Sequence, residues 1–163
     1  MRAVPVGVYP DVPTVIARSR LQAAITHDTP GGIAASVATS LMAHYFLYDL
    51  GPKAGLPAFI ATHVDGPWTT PWRGKVGAEG MMSAHAAVTA ITQSTTLSGL
   101  LKRCIALLGD VDTVATIALG AASCSPEFEK DLPDVLVAGL EDSSYGRTYL
   151  QRLDAQLVAM MPR

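Results

Sequence analysis

Residues 97–122 read LSGLLKRCIALLGDVDTVATIALGAA, and this stretch decides how we expect the chain to fold. Two apolar runs with helical spacing, Leu97–Leu108 and Val114–Ala122, predict two helices that pack in a protein core. Between the runs lies a short polar break that contains Asp110 and Asp112. Ionised carboxylates among apolar helices are costly unless a positive charge or hydrogen-bond donors meet them. The break is therefore the first place to look for a site.

Two explanations fit this polar break from the residues alone. Asp112 and Thr113 are residue types that suit a helix N-terminus, where free N–H groups and the helix dipole favour oxygen atoms. Asp110, Asp112 and Thr113 are also oxygen donors of the kind that bind a hard divalent cation such as Mg²⁺. Residues at i and i+2 do not share a face of a regular helix. Convergence on a cation therefore requires Asp110 in the entering loop and Asp112 in the first turn.

The rest of the chain predicts a single all-α domain. The chain has 163 residues, of which 49% are hydrophobic and 16% are charged, a composition typical of a core-rich globular protein. Strand-period segments are absent from the sequence, and further helical patterns cover Val12–Ala24, Ile33–Leu50, Leu56–Val64, Met81–Thr92, Asp131–Leu140 and Tyr149–Met161. We expect residues 1–10 to be irregular, because Pro5 and Pro10 oppose a regular helix.

The apolar periodicity also predicts which helix faces pack inward. The longest helix, Ile33–Leu50, is apolar on all sides, so we expect it to be central and buried. The helix that follows Thr96 is predicted to turn inward Leu97, Leu100, Leu101, Ile105 and Leu108. The last helix is predicted to pack through Tyr149, Leu150, Leu153, Leu157 and Met161.

Charge and composition argue against several functional classes. The net charge of −2 at pH 7 does not indicate general nucleic-acid binding. Apolar runs are too short or too interrupted to span a membrane, and the start does not have the pattern of a signal peptide, so we expect a cytoplasmic protein. Cys104 and Cys124 fit no metal-ligand spacing, and we expect free thiols.

The loop of residues 65–75 is the second candidate site. It carries two tryptophans together with Arg73 and Lys75, a set that can stack a base and hold phosphates. We therefore predict that Trp72 and Arg73 contact a substrate. The alternative, which the residues leave open, is a loop whose tryptophan rings cover an edge of the core. His44 and His85 are expected to be structural.

Three segments resemble one known family. The segment Gly109–Ala115, GDVDTVA, resembles the G-D-x-D-T-[IV]-A signature of the ADP-ribosylglycohydrolase family. The segment Met1–Gly7, MRAVPVG, is similar to its M-R-x-x-P-[LIV]-G segment, and Thr26–Pro30, THDTP, is similar to its T-H-x-x-P turn. The resemblance implies a compact multi-helix orthogonal bundle. It covers the second half of a typical member, so we expect residues 1–163 to form one domain that is truncated at the N-terminus.

The resemblance also implies a function and a set of site residues. It implies a magnesium-dependent hydrolase that removes ADP-ribose from a modified protein or small molecule. The family's site is a binuclear Mg²⁺ centre, and Asp110, Asp112 and Thr113 correspond to its second group of ligands, with Asp110 and Asp112 as catalytic residues. Arg2 is expected near the diphosphate and His27 on the ribose side of the cleft.

The sequence departs from the family pattern in one respect. The family's first ligand group, a Thr/Ser-Asp-Asp run, and the acidic residue that activates water belong to an earlier half, and no Asp-Asp pair occurs in this chain. Three hypotheses therefore stay open: a hydrolase or its C-terminal segment, a non-catalytic module that binds ADP-ribose or metal, and a structural protein resembling the lens crystallins of this family. We expect exposed apolar surfaces, and hence a homo-oligomer or a partner chain that supplies the missing half.

Overall fold

The computed structural model describes residues 1–159 and residue 161. Over this range it contains eight α-helices and no strand, which confirms the all-α prediction. The helices are α1 Val12–Ala24, α2 Pro30–Leu47, α3 Leu56–Ala61, α4 Gly80–Thr92, α5 Leu97–Ala106, α6 Val111–Ala122, α7 Asp134–Ala138 and α8 Arg147–Ala159. In the described part of the chain, each helix is too short or too polar to cross a lipid bilayer.

Helices α2 and α4 form the centre of the fold. Helix α2 is buried almost continuously from Ala35 to Phe46, and α4 from Ser83 to Ile91. Helix α2 packs against α1, α4 and α6, and α5 packs against α6. Small alanine, serine and threonine side chains over several turns of α2 allow these neighbours to approach closely. The prediction that this helix is central and buried agrees with the structure.

Local capping signals explain where several helices begin. The side chains of Asp11, Thr29 and Thr96 accept hydrogen bonds from backbone N–H groups of the first turns of α1, α2 and α5. Helix α2 begins at Pro30, three residues before the predicted start at Ile33. A proline suits a first helical position because its missing N–H would have no partner there. Helix α1 has the predicted bounds.

The structure corrects two sequence predictions about the ends of the chain. Residues Val4–Val8 form a short 3₁₀ helix rather than an irregular segment, and Pro5 is tolerated in its first turn. Helix α8 begins at Arg147 and has no buried residue, and its Leu150 side chain is 57% exposed. The other predicted packing residues, Tyr149, Leu153, Leu157 and Met161, are half-buried, so the predicted face packs only in part, and Met160 lies outside the described residues.

Helix α5 differs from the prediction in the residues that it buries. Leu97, Leu100 and Cys104 are buried, whereas Ile105 and Leu108 are 54% and 64% exposed. The helix ends at Ala106, so Leu108 lies beyond the helix whose inward face was predicted to include it. Both cysteines are free thiols as expected, Cys104 buried and Cys124 exposed. Burial raises the pKa of the Cys104 thiol to about 11.

Candidate functional site

A cavity of about 340 Å³ lies beside the first two turns of α6. Its wall includes Arg2 from the start of the chain, His27 from the α1–α2 turn, and Asp110 and Thr113 from the start of α6. Small side chains of α2 and the beginning of α4 complete the wall. The fold therefore brings three segments that are far apart in sequence to one concave surface.

Asp110 occupies the N-cap position of α6 without acting as a side-chain cap. Within the described chain its carboxylate accepts no hydrogen bond from the first turn of that helix. Its Oδ2 instead accepts a hydrogen bond of 3.3 Å from the hydroxyl of Ser83, a fully buried residue of α4. The side chain of Asp110 is partly buried and lines the cavity. Helix-end hydrogen bonding therefore does not account for this carboxylate.

The loop that delivers Asp110 is held by its backbone. The N–H of Val76 donates to the carbonyl of Leu108, and the N–H of Asp110 donates to the carbonyl of Val76, each at 3.2 Å. Gly109 has a φ of +83°, and a Cβ added there would overlap the Val76 carbonyl oxygen. Only glycine fits this close approach. Because Val76 is itself buried, the bridge fixes the start of α6 against the core.

The other two candidate metal ligands are placed differently from each other. Thr113 lines the cavity, whereas Asp112 is exposed in the first turn of α6 and lies outside the lining residues. The described residues contain no group of three or more His, Cys, Asp or Glu side chains that could hold a metal ion. The oxygen atoms of Asp110 and Thr113 suit Mg²⁺, which keeps several waters and needs few protein ligands. They fit part of a magnesium shell, not a complete one.

Arg2 and His27 are linked through a threonine on the cavity rim. The Arg2 guanidinium donates a hydrogen bond to the hydroxyl of Thr26, and this hydroxyl lies 2.8 Å from Nδ1 of His27. Burial and the charge of Arg2 lower the pKa of the Met1 α-amino group, while Asp110 acts in the opposite direction. This wall of the cavity therefore presents cationic and hydrogen-bonding groups near one carboxylate.

The comparison with protein-family models decides the family. The model described as ADP-ribosylglycohydrolase matches residues 1–163. The chain belongs to the ADP-ribosylglycohydrolase family. The comparisons with curated proteins and with solved structures gave no match. Membership in a family of glycoside hydrolases agrees with the all-helical fold. Residues of all three motifs line the cavity.

The tryptophan loop of this ADP-ribosylglycohydrolase-family protein lies against the core. Trp68 is buried, and the Trp72 ring packs edge-on against His85 with 5.6 Å between ring centroids. The Trp72 indole N–H donates to the carbonyl of Gly74 at 2.9 Å. Trp72 and Arg73 are not among the lining residues of the cavity, so their predicted contact with substrate has no geometric support and stays a prediction.

Two of the four histidines, His44 and His85, contact backbone carbonyl oxygens inside the fold. His44 is buried with Nδ1 3.0 Å from the carbonyl oxygen of Gly7, and His85 has Nε2 2.6 Å from that of Thr70. These contacts agree with the structural roles expected for both. Sequence reasoning missed Ser83, because a lone serine in an apolar helix carries no motif. It also missed Thr26, although Thr26 belongs to the T-H-x-x-P turn.

Proposed function

We propose that this chain binds the ADP-ribose part of a modified acceptor together with Mg²⁺ and takes part in removing ADP-ribose hydrolytically. The observation that carries the proposal is the convergence of Arg2, His27 and Asp110 on one cavity. These residues come from three separate motifs of the family that matches the whole chain. A cavity of about 340 Å³ also lies within the usual range of small-molecule sites.

The proposed roles follow from the chemistry of each side chain. Asp110 and Thr113 would hold Mg²⁺ through their oxygen atoms, and Asp112, exposed in the first turn of α6, would contribute to a second ion. Mg²⁺, when bound, supplies orientation of sugar hydroxyls and polarisation of an oxygen at the scissile bond. The Arg2 guanidinium suits a diphosphate, because its planar fork of donors matches phosphate oxygens. His27 would donate to a ribose hydroxyl on the same side.

A second candidate function is binding of ADP-ribose without hydrolysis. Among the described residues, Asp110 is the one carboxylate in the cavity lining, and no group of three or more His, Cys, Asp or Glu side chains lies together. This incomplete shell favours a binding module, or a hydrolase whose centre is completed by another chain. Two exposed apolar side chains, Leu21 on α1 at 63% and Ile25 just after it at 78%, fit the proposal of a homo-oligomer or a partner chain.

Isothermal calorimetry tests the binding part of the proposal. We expect the wild-type protein to take up Mg²⁺, and ADP-ribose to bind more tightly when Mg²⁺ is present. Asp110→Asn should weaken Mg²⁺ binding by more than about a hundredfold, because it removes a ligand and not merely an outer partner. Asp131→Asn is the matched control, since this exposed carboxylate hydrogen-bonds Ser98 at the start of α5.

Release of ADP-ribose from ADP-ribosylarginine separates the two candidate functions. Hydrolysis by the wild-type chain that is lost in Asp112→Ala supports the enzyme. Binding of ADP-ribose without release supports the binding module. If neither Mg²⁺ nor ADP-ribose gives any heat with the wild-type protein, both candidate functions are wrong.

A further inference from the structure

Ser83 makes a hydrogen bond that no motif anticipates. It lies in α4 with no exposed surface, and its hydroxyl donates to Oδ2 of Asp110 at 3.3 Å. The two residues are 27 positions apart in sequence and belong to different helices of the core. The contact joins a buried part of the fold directly to the carboxylate at the cavity.

The Ser83 hydroxyl finds its partner outside its own helix. A serine or threonine inside a helix can satisfy its hydroxyl locally, by donating to the carbonyl four residues earlier. Five helical hydroxyls in the described chain do so: Ser19, Ser40, Thr89, Thr92 and Thr116. Ser83, like Ser36 of α2 with Gln22, donates to a side chain of another segment instead, so its contact is not a default of helical geometry.

The contact also determines what remains free on Asp110. Since this carboxylate does not cap α6, Ser83 is its hydrogen-bond partner within the described residues. The hydrogen bond occupies Oδ2 and leaves Oδ1 without a protein donor in the same part of the chain. A carboxylate with one oxygen hydrogen-bonded to an outer partner keeps its other oxygen available, as carboxylate ligands of metal ions commonly do.

We propose that Ser83 is a positioning residue that fixes the Asp110 carboxylate so that Oδ1 is presented to a divalent cation in the cavity. The cation is part of the proposed function, on which this inference rests. The orientation of the carboxylate is a property of the protein alone. The two can therefore be measured separately.

The first measurement follows the Asp110 side chain in the absence of metal. Three-bond couplings between its Hα and Hβ protons report whether χ1 occupies one rotamer or averages over several. We expect one rotamer in the wild-type protein and averaging in Ser83→Ala. Ser125→Ala is the matched control, because Ser125 is also buried but its hydroxyl accepts from the N–H of Glu127 beyond the opposite end of α6. This control should keep one rotamer.

The second measurement is Mg²⁺ affinity by calorimetry on the same three proteins. Loss of an outer-shell partner should weaken Mg²⁺ binding by about 10- to 100-fold in Ser83→Ala and leave Ser125→Ala unchanged. Thermal unfolding of each variant verifies that it is folded.

The outcomes separate this inference from the proposed function. Asp110 couplings that are identical in Ser83→Ala and wild type would overturn the inference, as would equal Mg²⁺ affinity in the two proteins. If the couplings respond as expected but the wild-type protein takes up no Mg²⁺, Ser83 does orient Asp110 and the magnesium part of the proposed function is wrong.

Discussion

The starts of α5 and α6 contain similar residues and use them in different ways. At the start of α5, Thr96 accepts a hydrogen bond from the N–H of Gly99 at 3.0 Å. Asp131 accepts from the N–H of Ser98 at 2.8 Å and from its hydroxyl at 2.5 Å. At the start of α6, Asp110 occupies the N-cap position, but its carboxylate accepts no hydrogen bond from the described N–H groups of the first turn.

The difference separates a carboxylate that is hydrogen-bonded at a helix start from one that faces a cavity. Both helix starts favour negative charge because of the helix dipole and the free N–H groups. The Asp131 carboxylate, at the start of α5, accepts hydrogen bonds from Ser98. The Asp110 carboxylate, at the start of α6, faces a cavity and accepts a hydrogen bond from Ser83. The stability of the α6 start must therefore come from its backbone. The predictions below test this division.

Gly109→Ala should produce the largest loss of stability. The φ of +83° and the overlap of a new Cβ with the Val76 carbonyl oxygen together should lower the free energy of unfolding by about 2–3 kcal/mol. Gly74→Ala is the control, because Gly74 also has a positive φ of +93° but has open space around its Cβ position. It should lose about 1 kcal/mol from backbone strain alone. Urea denaturation measures both, and equal losses would contradict the importance of the bridge to Val76.

Leu108→Gly should make the protein more stable. Leu108 has a φ of +59°, a left-handed conformation that is strained for leucine, and its side chain is 64% exposed. Relief of this strain should raise the free energy of unfolding by about 1 kcal/mol. Asp49→Gly, at a φ of +49°, should gain less, because aspartate tolerates this conformation better than leucine. A loss of stability in Leu108→Gly would mean that the side chain packs more usefully than its exposure indicates.

The stability of the protein should depend on pH in the acid range because of the Asp131 carboxylate at the start of α5. Hydrogen bonds from the Ser98 hydroxyl and N–H lower the pKa of Asp131 from its ordinary value of 3.8. A lowered pKa in the folded state contributes stability that is complete above the unfolded value and is lost as the pH falls through the folded one. Asp131→Asn should therefore be less stable than wild type near neutral pH, and the difference should shrink below about pH 3.8. Ser98→Ala should show the same trend, and a difference independent of pH would contradict it.

Local signals explain the parts of the fold that the sequence predicts well. Helix α1 has its predicted bounds because Asp11 caps it and Pro13 suits its first turn, and both signals lie within three residues of its start. Arg2, His27, Asp110 and Thr113 could be singled out because each belongs to a short motif of the family that matches the chain. Their meeting at one cavity follows from the fold.

Contacts between distant residues explain what the sequence does not predict. The role of Ser83 depends on a partner 27 residues away, which no periodicity can indicate. The orientation of Trp72 depends on packing against His85 across the loop. Periodicity correctly predicts a helix near residues 147–159, but a hydrophobic face does not say how completely it is covered, and here the face is only half-buried.

The exposed Cys124 offers a labelling position at the end of α6 that lies away from the cavity. The helix carries Asp110 at one end and is followed by Cys124 at the other, about 18 Å away for twelve helical residues. A maleimide dye should attach first to the exposed Cys124, because the Cys104 thiol is buried and its pKa is about 11. Burial and the carboxylate of Asp154 in α8 raise the pKa of the Cys124 thiol. A dye at Cys124 would therefore lie near α8 and leave the cavity untouched.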